Sequence, residues 1–486
     1  MKRSYLYVAL LLAGLFVALA TVNFSGNQVS AQSGGTRWIV MFHTQSNLPS
    51  NVDKRVSDAG GTIVAQLPEV GAVAATSNNS NFAADMAKDS SVSEVVADIE
   101  VQMIPNPSQM QAQVANESPV QPPGDDTQTG PDPLYNPYQW DKKRIRASNQ
   151  GSYAVQQGRP DVVVAVLDTG AQVLPAPHPD IQANLDTARS RSFFPVQPNP
   201  NGDPNPAAWD DRNGHGSHCM SSIGAPINGI GMVGVAPKVK LVALKVLGDN
   251  GSGSYVSLGQ ALIYAGNNKF DVASMSLGNY LRKSDQGSHA LIKFVQRAVN
   301  YARENGVTPV AALGNDGFNL SDGDFFRDFI DVPAEIDGVI GVSATDYFNQ
   351  KAGYSNYGMG KTDVSGPGGD LNGPPPHLGL VLGAWASDSI VLPANYVLAA
   401  GTSMACPQAA GVCALIISHY GDFTTNGNGR KAHMSPQRVE AILQQTANNQ
   451  PCPDTYAVTT QRCQGDTGYN NFYGKGLVDA LKAVTQ

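Results

Sequence analysis

From residue 162 onward the chain returns repeatedly to short, almost wholly apolar runs, at 162–167, 241–247, 272–277, 310–313 and 339–342. A half-exposed strand would alternate apolar with polar residues; these runs do not, so they read as strands buried on both faces. Helix-like patterns fill the intervals. That alternation predicts an α/β, doubly wound fold, a mostly parallel sheet with helices on both faces. In such sheets functional groups gather beyond the carboxyl ends of the strands. A charged fraction of only 15% suits a compact, loop-rich protein of this kind.

The residues that carry chemistry fall where that rule puts them. Val162-Val163-Val164-Ala165-Val166-Leu167 stops at Asp168-Thr169-Gly170, an acid at a buried strand end that needs a partner. Asn213-Gly214-His215-Gly216-Ser217-His218-Cys219 is glycine-rich and opens a helix-like segment. Its two histidines lack a third ligand of matching context, which argues against a metal. Gly401-Thr402-Ser403-Met404-Ala405-Cys406-Pro407 leads into small and apolar residues that read as a buried helix. Pro407 fits only near the first turn, so Ser403 sits at or just before the helix N-terminus, where unpaired N–H groups favour negative charge. Alone, Gly-Thr-Ser reads as a helix cap. With Asp168 and His215, Ser403 completes a hydroxyl, an imidazole to take its proton and a carboxylate to orient the imidazole.

These three blocks, in this order, resemble those of the subtilisin-like serine proteases, or subtilases. The resemblance runs over roughly residues 134–486 and implies a serine endopeptidase acting on proteins or peptides, with no cofactor needed for chemistry. Ser403 would be the nucleophile, His215 its base and Asp168 the orienting acid. Leu313-Gly314-Asn315 matches the family's oxyanion segment, so Asn315 would donate its side-chain amide to the developing negative charge. Ser252, Gly253 and Ser254, and likewise Ser276, Leu277 and Gly278, resemble the two extended segments that pair with substrate backbone. Asp331 falls near the floor of the primary pocket and implies a taste for basic side chains. Cys219, four residues after His215, resembles the free thiol of the proteinase K-like subset. Asp180, with Asp132 assisting, matches a ligand position for structural calcium.

The same resemblance makes 32–103, a small α+β unit, an inhibitory propeptide that helps the rest to fold. A Pro-, Gln- and Ser-rich tract at 104–133 has almost no large apolar residues and reads as a linker holding the processing site. Residues 1–31, with Lys2 and Arg3 before an apolar run, have the layout of a signal peptide; after its removal no stable membrane association is expected. The protein is expected to be secreted and monomeric. In an oxidising compartment Cys452 and Cys463, flanking a loop near the C-terminus, are the expected disulfide. A net charge of −8 without a dense basic block argues against a nucleic-acid partner. The stretch 182–210 reads as an exposed Pro/Asn-rich loop. Two rivals remain: a silent binding protein on the same fold would have lost a catalytic residue, and an esterase would carry Gly-x-Ser-x-Gly with the histidine after the serine. Neither signature is present.

Overall fold

A computed structural model describes residues 35–105, 112–114, 128–323, 326–371, 376–424, 433–458 and 460–486. The expected signal peptide and much of the tract at 104–133 lie outside them.

The N-terminal unit runs β1 (Thr36–Phe42), α1 (Val52–Asp58), β2 (Gly61–Leu67), β3 (Ala72–Ser77), α2 (Phe82–Met86) and β4 (Val92–Ala97). Its strands form an antiparallel sheet in the order β2-β3-β1-β4. Strand alternation gives it two apolar faces. Val40 and Phe42 pack under α1 and α2 with Val52, Val56, Phe82 and Met86, whereas Ile39 and Met41 join a core shared with the larger unit. Two further short strands follow, β5 (Glu100–Gln102) and β6 (Ala112–Val114).

The larger unit is built on β7 (Val163–Asp168), β8 (Arg191–Ser192), β9 (Lys240–Lys245), β10 (Ser252–Ser254), β11 (Val272–Met275), β12 (Asn279–Arg282), β13 (Thr308–Ala312), β14 (Phe329–Val332), β15 (Ile340–Thr345), β16 (Val364–Pro367), β17 (Val381–Ala384) and β18 (Tyr396–Ala399). Seven of these form the main sheet in the order β16-β15-β13-β11-β7-β9-β8, with parallel pairings throughout. All five predicted runs are in it. Its long helices are α3 (His215–Gly224), α4 (Tyr255–Asn267), α5 (Gln286–Glu304), α6 (Thr402–Tyr420) and α7 (Pro436–Thr446).

Alternation along β7 explains why a continuous apolar run was required. Val163, Ala165 and Leu167 face a core with Leu262 of α4 and Phe294 of α5; Val164 and Val166 face one with Met220 of α3 and Ala409 of α6. After β7 the chain runs to the edge strand β8, comes back to β9 beside β7, and then crosses to β11 on the other side, so the order reverses at β7/β11. A crevice opens at such a reversal, beyond the strand ends. Asp168 closes β7 there.

Two expectations need correction. The stretch 182–210 is not simply an exposed loop: it supplies edge strand β8 and buries Phe193 and Trp209 completely. Likewise, the described parts of 104–133 are ordered. Ile104 is buried, Asp132 is buried and β6 pairs antiparallel with β18. A segment too polar to build a core of its own can still pair with a neighbour's strand edge, a possibility the composition argument left out.

Candidate active site

Asp168 is fully buried at the end of β7, and its Oδ1 accepts the Thr169 N–H at 2.7 Å. The same oxygen lies 2.8 Å from His215 Nδ1. His215 is the first residue of α3, and the start of that helix is heavily braced. Asp211 Oδ1 accepts N–H bonds from Asn213 and Gly214, and its Oδ2 accepts both the N–H and the hydroxyl of Ser217. Thr169 Oγ1 donates to Asp211 and accepts from the Gly216 N–H, tying the strand end to the helix start. Gly214 has φ +109°, and a Cβ there would stand 2.1 Å from the Trp385 ring. Hence the glycine before the histidine.

Burial opposes charging the His215 imidazole, but the Asp168 carboxylate beside it holds its pKa well above the ordinary value. Its Nε2 is buried without a hydrogen-bond partner. His218, the other histidine of the block, is spent structurally: its Nε2 lies 3.1 Å from the Val381 carbonyl, and burial pushes its pKa down to about 3. Among the described residues the one cluster with metal-like spacing is Asp168, His215 and Cys219, which is the acid–imidazole pair plus a thiol. Cys219 Sγ lies 3.9 Å from His215 Nδ1, and burial raises its pKa, so the thiol stays protonated.

Ser403 is the second residue of α6. Its hydroxyl donates to the Ser276 carbonyl at 3.3 Å, so it is not hydrogen-bonded to His215 in this conformation. Pro407, four residues on, has no N–H to give the Ser403 carbonyl. That carbonyl instead accepts the Ser276 hydroxyl at 2.9 Å and the Cys219 thiol at 3.4 Å. The proline therefore frees an acceptor that fastens α6 to β11 and α3, around the serine.

Asn315 follows β13. Its Oδ1 accepts both the N–H and the hydroxyl of Thr402, at 2.8 and 2.9 Å, while Thr402 Oγ1 accepts the Gly314 N–H at 3.1 Å. With its oxygen so engaged, the amide must present Nδ2 to the space beside Gly401 and Ser403. The Ser403 N–H, in the first helical turn, has no intrahelical acceptor. Two donors thus converge where an oxyanion would form.

The groove beside them is occupied by the chain's own N-terminal unit. β5 pairs antiparallel with β10, matching Ser252 with Gln102, Gly253 with Val101 and Ser254 with Glu100. On the other side Gly278 donates its N–H to the Met103 carbonyl at 2.9 Å, and Asn279 Nδ2 bonds the Gln102 carbonyl at 3.0 Å. Leu277, just before Gly278, is buried in the core. Sequence reasoning named both walls of this groove but missed Thr402, Asp211 and Asn279. Only Asp211 had a local sign, an Asx residue two positions before Asn-Gly-His.

Away from the groove, Cys452 and Cys463 form a disulfide of 2.02 Å, and Cys219, Cys406 and Cys413 are free and buried. Asp132 and Asp180 meet at one loop. Asp132 accepts the Gly229 N–H at 3.0 Å, and Asp180 accepts the Asn228 amide at 3.1 Å, the Met232 N–H and the Tyr396 hydroxyl. Burial, with the charge of Asp132 adding to it, pushes the Asp180 pKa up to about 6.

An acid–imidazole pair and a serine at a helix N-terminus beside an oriented amide, at the reversal of a parallel sheet, define a serine hydrolase. The chain belongs to the subtilase family, whose model matches residues 159–476, and it is a serine-type endopeptidase. It is 35% identical to a thermostable alkaline protease of Halalkalibacterium halodurans over 66% of this chain and 67% of that one. Against subtilisin NAT of Bacillus subtilis subsp. natto the identity is 29%, over the full length of both. In fold it is similar to the epidermin leader peptide processing serine protease of Staphylococcus aureus, with a TM-score of 0.69, 22% identity, and coverage of 93% of this chain and 98% of that one. Among the described residues no helix is long and apolar enough to cross a membrane.

Proposed function

We propose that this chain is a secreted, self-inhibited precursor whose endopeptidase acts through Ser403, His215 and Asp168. The observation that carries the reading is the convergence of the Asp168–His215 pair at 2.8 Å with an Asn315 amide locked by Thr402 beside Ser403. A rotation about χ1 turns the Ser403 hydroxyl from the Ser276 carbonyl toward His215 Nε2, which takes its proton as Oγ attacks the scissile carbonyl. Asp168 stabilises the imidazolium through Nδ1. The oxyanion is met by Asn315 Nδ2 and the Ser403 N–H. His215 then protonates the leaving amine, and water hydrolyses the acyl-enzyme by the reverse route.

Residues 32–103 act as propeptide. The unit covers α4 and α5: Arg297 donates to the Phe42 and Val70 carbonyls, and Lys293 pairs with Glu94 at 2.6 Å. β5 then lies in the groove as a substrate would, added as a strand to β10. Cleavage falls between about Gln102 and Pro133, and 1–31 direct export. Ser403→Ala protein should stay full length while the unmodified chain shortens; the alanine protein processed normally in pure form refutes self-cleavage. A fluorophosphonate adduct absent from Ser403 of the mature protein refutes the mechanism.

Calcium at Asp180 and Asp132 belongs to the same reading. Two desolvated carboxylates facing one another with only neutral donors around them suit an oxygen-seeking divalent cation. Its role there is to brace the loop at 228–232.

A further inference from the structure

Thr402 turns the Asn315 amide, but the backbone that carries Asn315 is placed by a different segment. The stretch 313–318 lies against 352–357, and Asn356, fully buried, spans the join. Its N–H donates to the Gly314 carbonyl at 3.0 Å and its Nδ2 to the Leu313 carbonyl at 2.8 Å. Its Oδ1 accepts the N–H groups of Asp316 and Phe318, at 3.1 and 2.9 Å. The Gly317 N–H donates to the Tyr354 carbonyl at 2.6 Å. Backbone groups on both sides of Asn315 are thus fastened to 352–357, so whatever fixes that segment fixes the oxyanion donor.

The loop closed by Cys452 and Cys463 reaches it with two side chains. Tyr456 donates its hydroxyl to the Lys351 carbonyl at 2.7 Å. The rings of Tyr357, Tyr456 and Phe472 surround Lys351 Nζ at 4.9, 5.5 and 5.3 Å from their centres, and that nitrogen donates to the Ala352 and Ser355 carbonyls, both at 2.8 Å. Gln461 bridges the two segments directly. Its Nε2 donates to the Gly317 carbonyl at 3.0 Å and to the Gly353 carbonyl at 2.9 Å. Only the NH2 end of an amide can meet two carbonyls, and Oε1 is left buried without a partner. An unmatched buried acceptor is costly, which the two bonds at the other end must offset. Gly317 permits the approach: its φ is +70°, and a Cβ there would stand 2.6 Å from Gln461 Nε2.

We propose that Gln461, held in place by the Cys452–Cys463 crosslink, is a positioning residue for the oxyanion donor: it fastens 313–318 to 352–357 and so keeps the Asn315 amide where the tetrahedral oxygen forms. The proposal rests on the reading of Asn315 as that donor. Among the described residues of the loop there is no helix or strand to order it. A crosslink between positions 11 apart limits how far Gln461 can move from its two carbonyls. Cys219, Cys406 and Cys413 are free, so this is the one bond in the chain that a disulfide reductant can open. Gln461 makes no bond to 252–254 or 276–278, so substrate binding is not its task.

The test uses mature enzyme, its active sites titrated with a fluorophosphonate, on a peptide anilide. Gln461→Ala, and Gln461→Glu, which fills the same space without the donors, should lower kcat about three- to tenfold and leave KM within about twofold. Opening the crosslink with a phosphine reductant, or replacing both its cysteines through Cys452→Ser and Cys463→Ser, should lower kcat similarly and add little to Gln461→Ala. In an Asn315→Ala background each of these changes should cost less than about twofold, because the donor they position is gone. Full kcat in Gln461→Ala or Gln461→Glu, or an equal loss with and without Asn315, overturns the proposal. A loss in Gln461→Ala with none on reduction overturns the part given to the crosslink. Full kcat in Asn315→Ala itself overturns the oxyanion reading beneath.

Discussion

Thr402 and Asn315 show how a pair of neutral residues decides a catalytic geometry. An asparagine amide can present either end, and here the Thr402 N–H and hydroxyl both claim the oxygen. Replacing Asn315 with Ala should therefore cut kcat by about 10² to 10³-fold with little change in KM, the loss seen when subtilisin loses this donor. Steady-state kinetics on a small peptide check it. Asp180 carries a second expectation. Its pKa in the folded chain, about 6, is above the unfolded value, so this group makes the metal-free protein less stable as pH rises from about 4 to 6. A bound calcium ion reverses that by preferring the ionised form. The gain in Tm on adding calcium should therefore be larger at pH 7.5 than at pH 5, and an equal gain at both would remove Asp180 from the site.

Among the elements, α3 is the one under tightest constraint. Its first residue must reach back to the end of β7, and Gly214 makes the turn in a conformation that L side chains rarely adopt. Gly214→Ala should cost about 1–3 kcal/mol from the backbone alone, and more from contact with Trp385. Thermal unfolding in a Ser403→Ala background measures it without self-digestion. The elements also show what could be read from the chain. Every strand of the main sheet with an unbroken apolar run was legible, because burial on both faces leaves a local record. β8, β5 and β6 were not: each is two or three residues long and is ordered by a distant partner's free edge. The Asp168, His215 and Ser403 blocks were legible for a different reason, since each marks a strand end or helix start. Thr402 and Asp211 were not, as their roles exist only once partners 87 and 42 positions away arrive.

For the whole molecule, what matters is that two units share one core and one groove. Ile39 and Met41 sit in the same apolar cluster as Leu291 and Phe294 of α5, so folding of the first unit presents a surface on which the second can assemble. The tail that joins them already lies in its own molecule's groove, paired with β10. A strand so placed reacts without any encounter with a second molecule. Conversion of the precursor should then follow first-order kinetics with a half-time that dilution leaves unchanged, and seeding with mature enzyme should not shorten it. Such a population ripens as independent clocks rather than as a chain reaction, and the time from synthesis to activity becomes a property of each molecule, indifferent to how crowded its surroundings are.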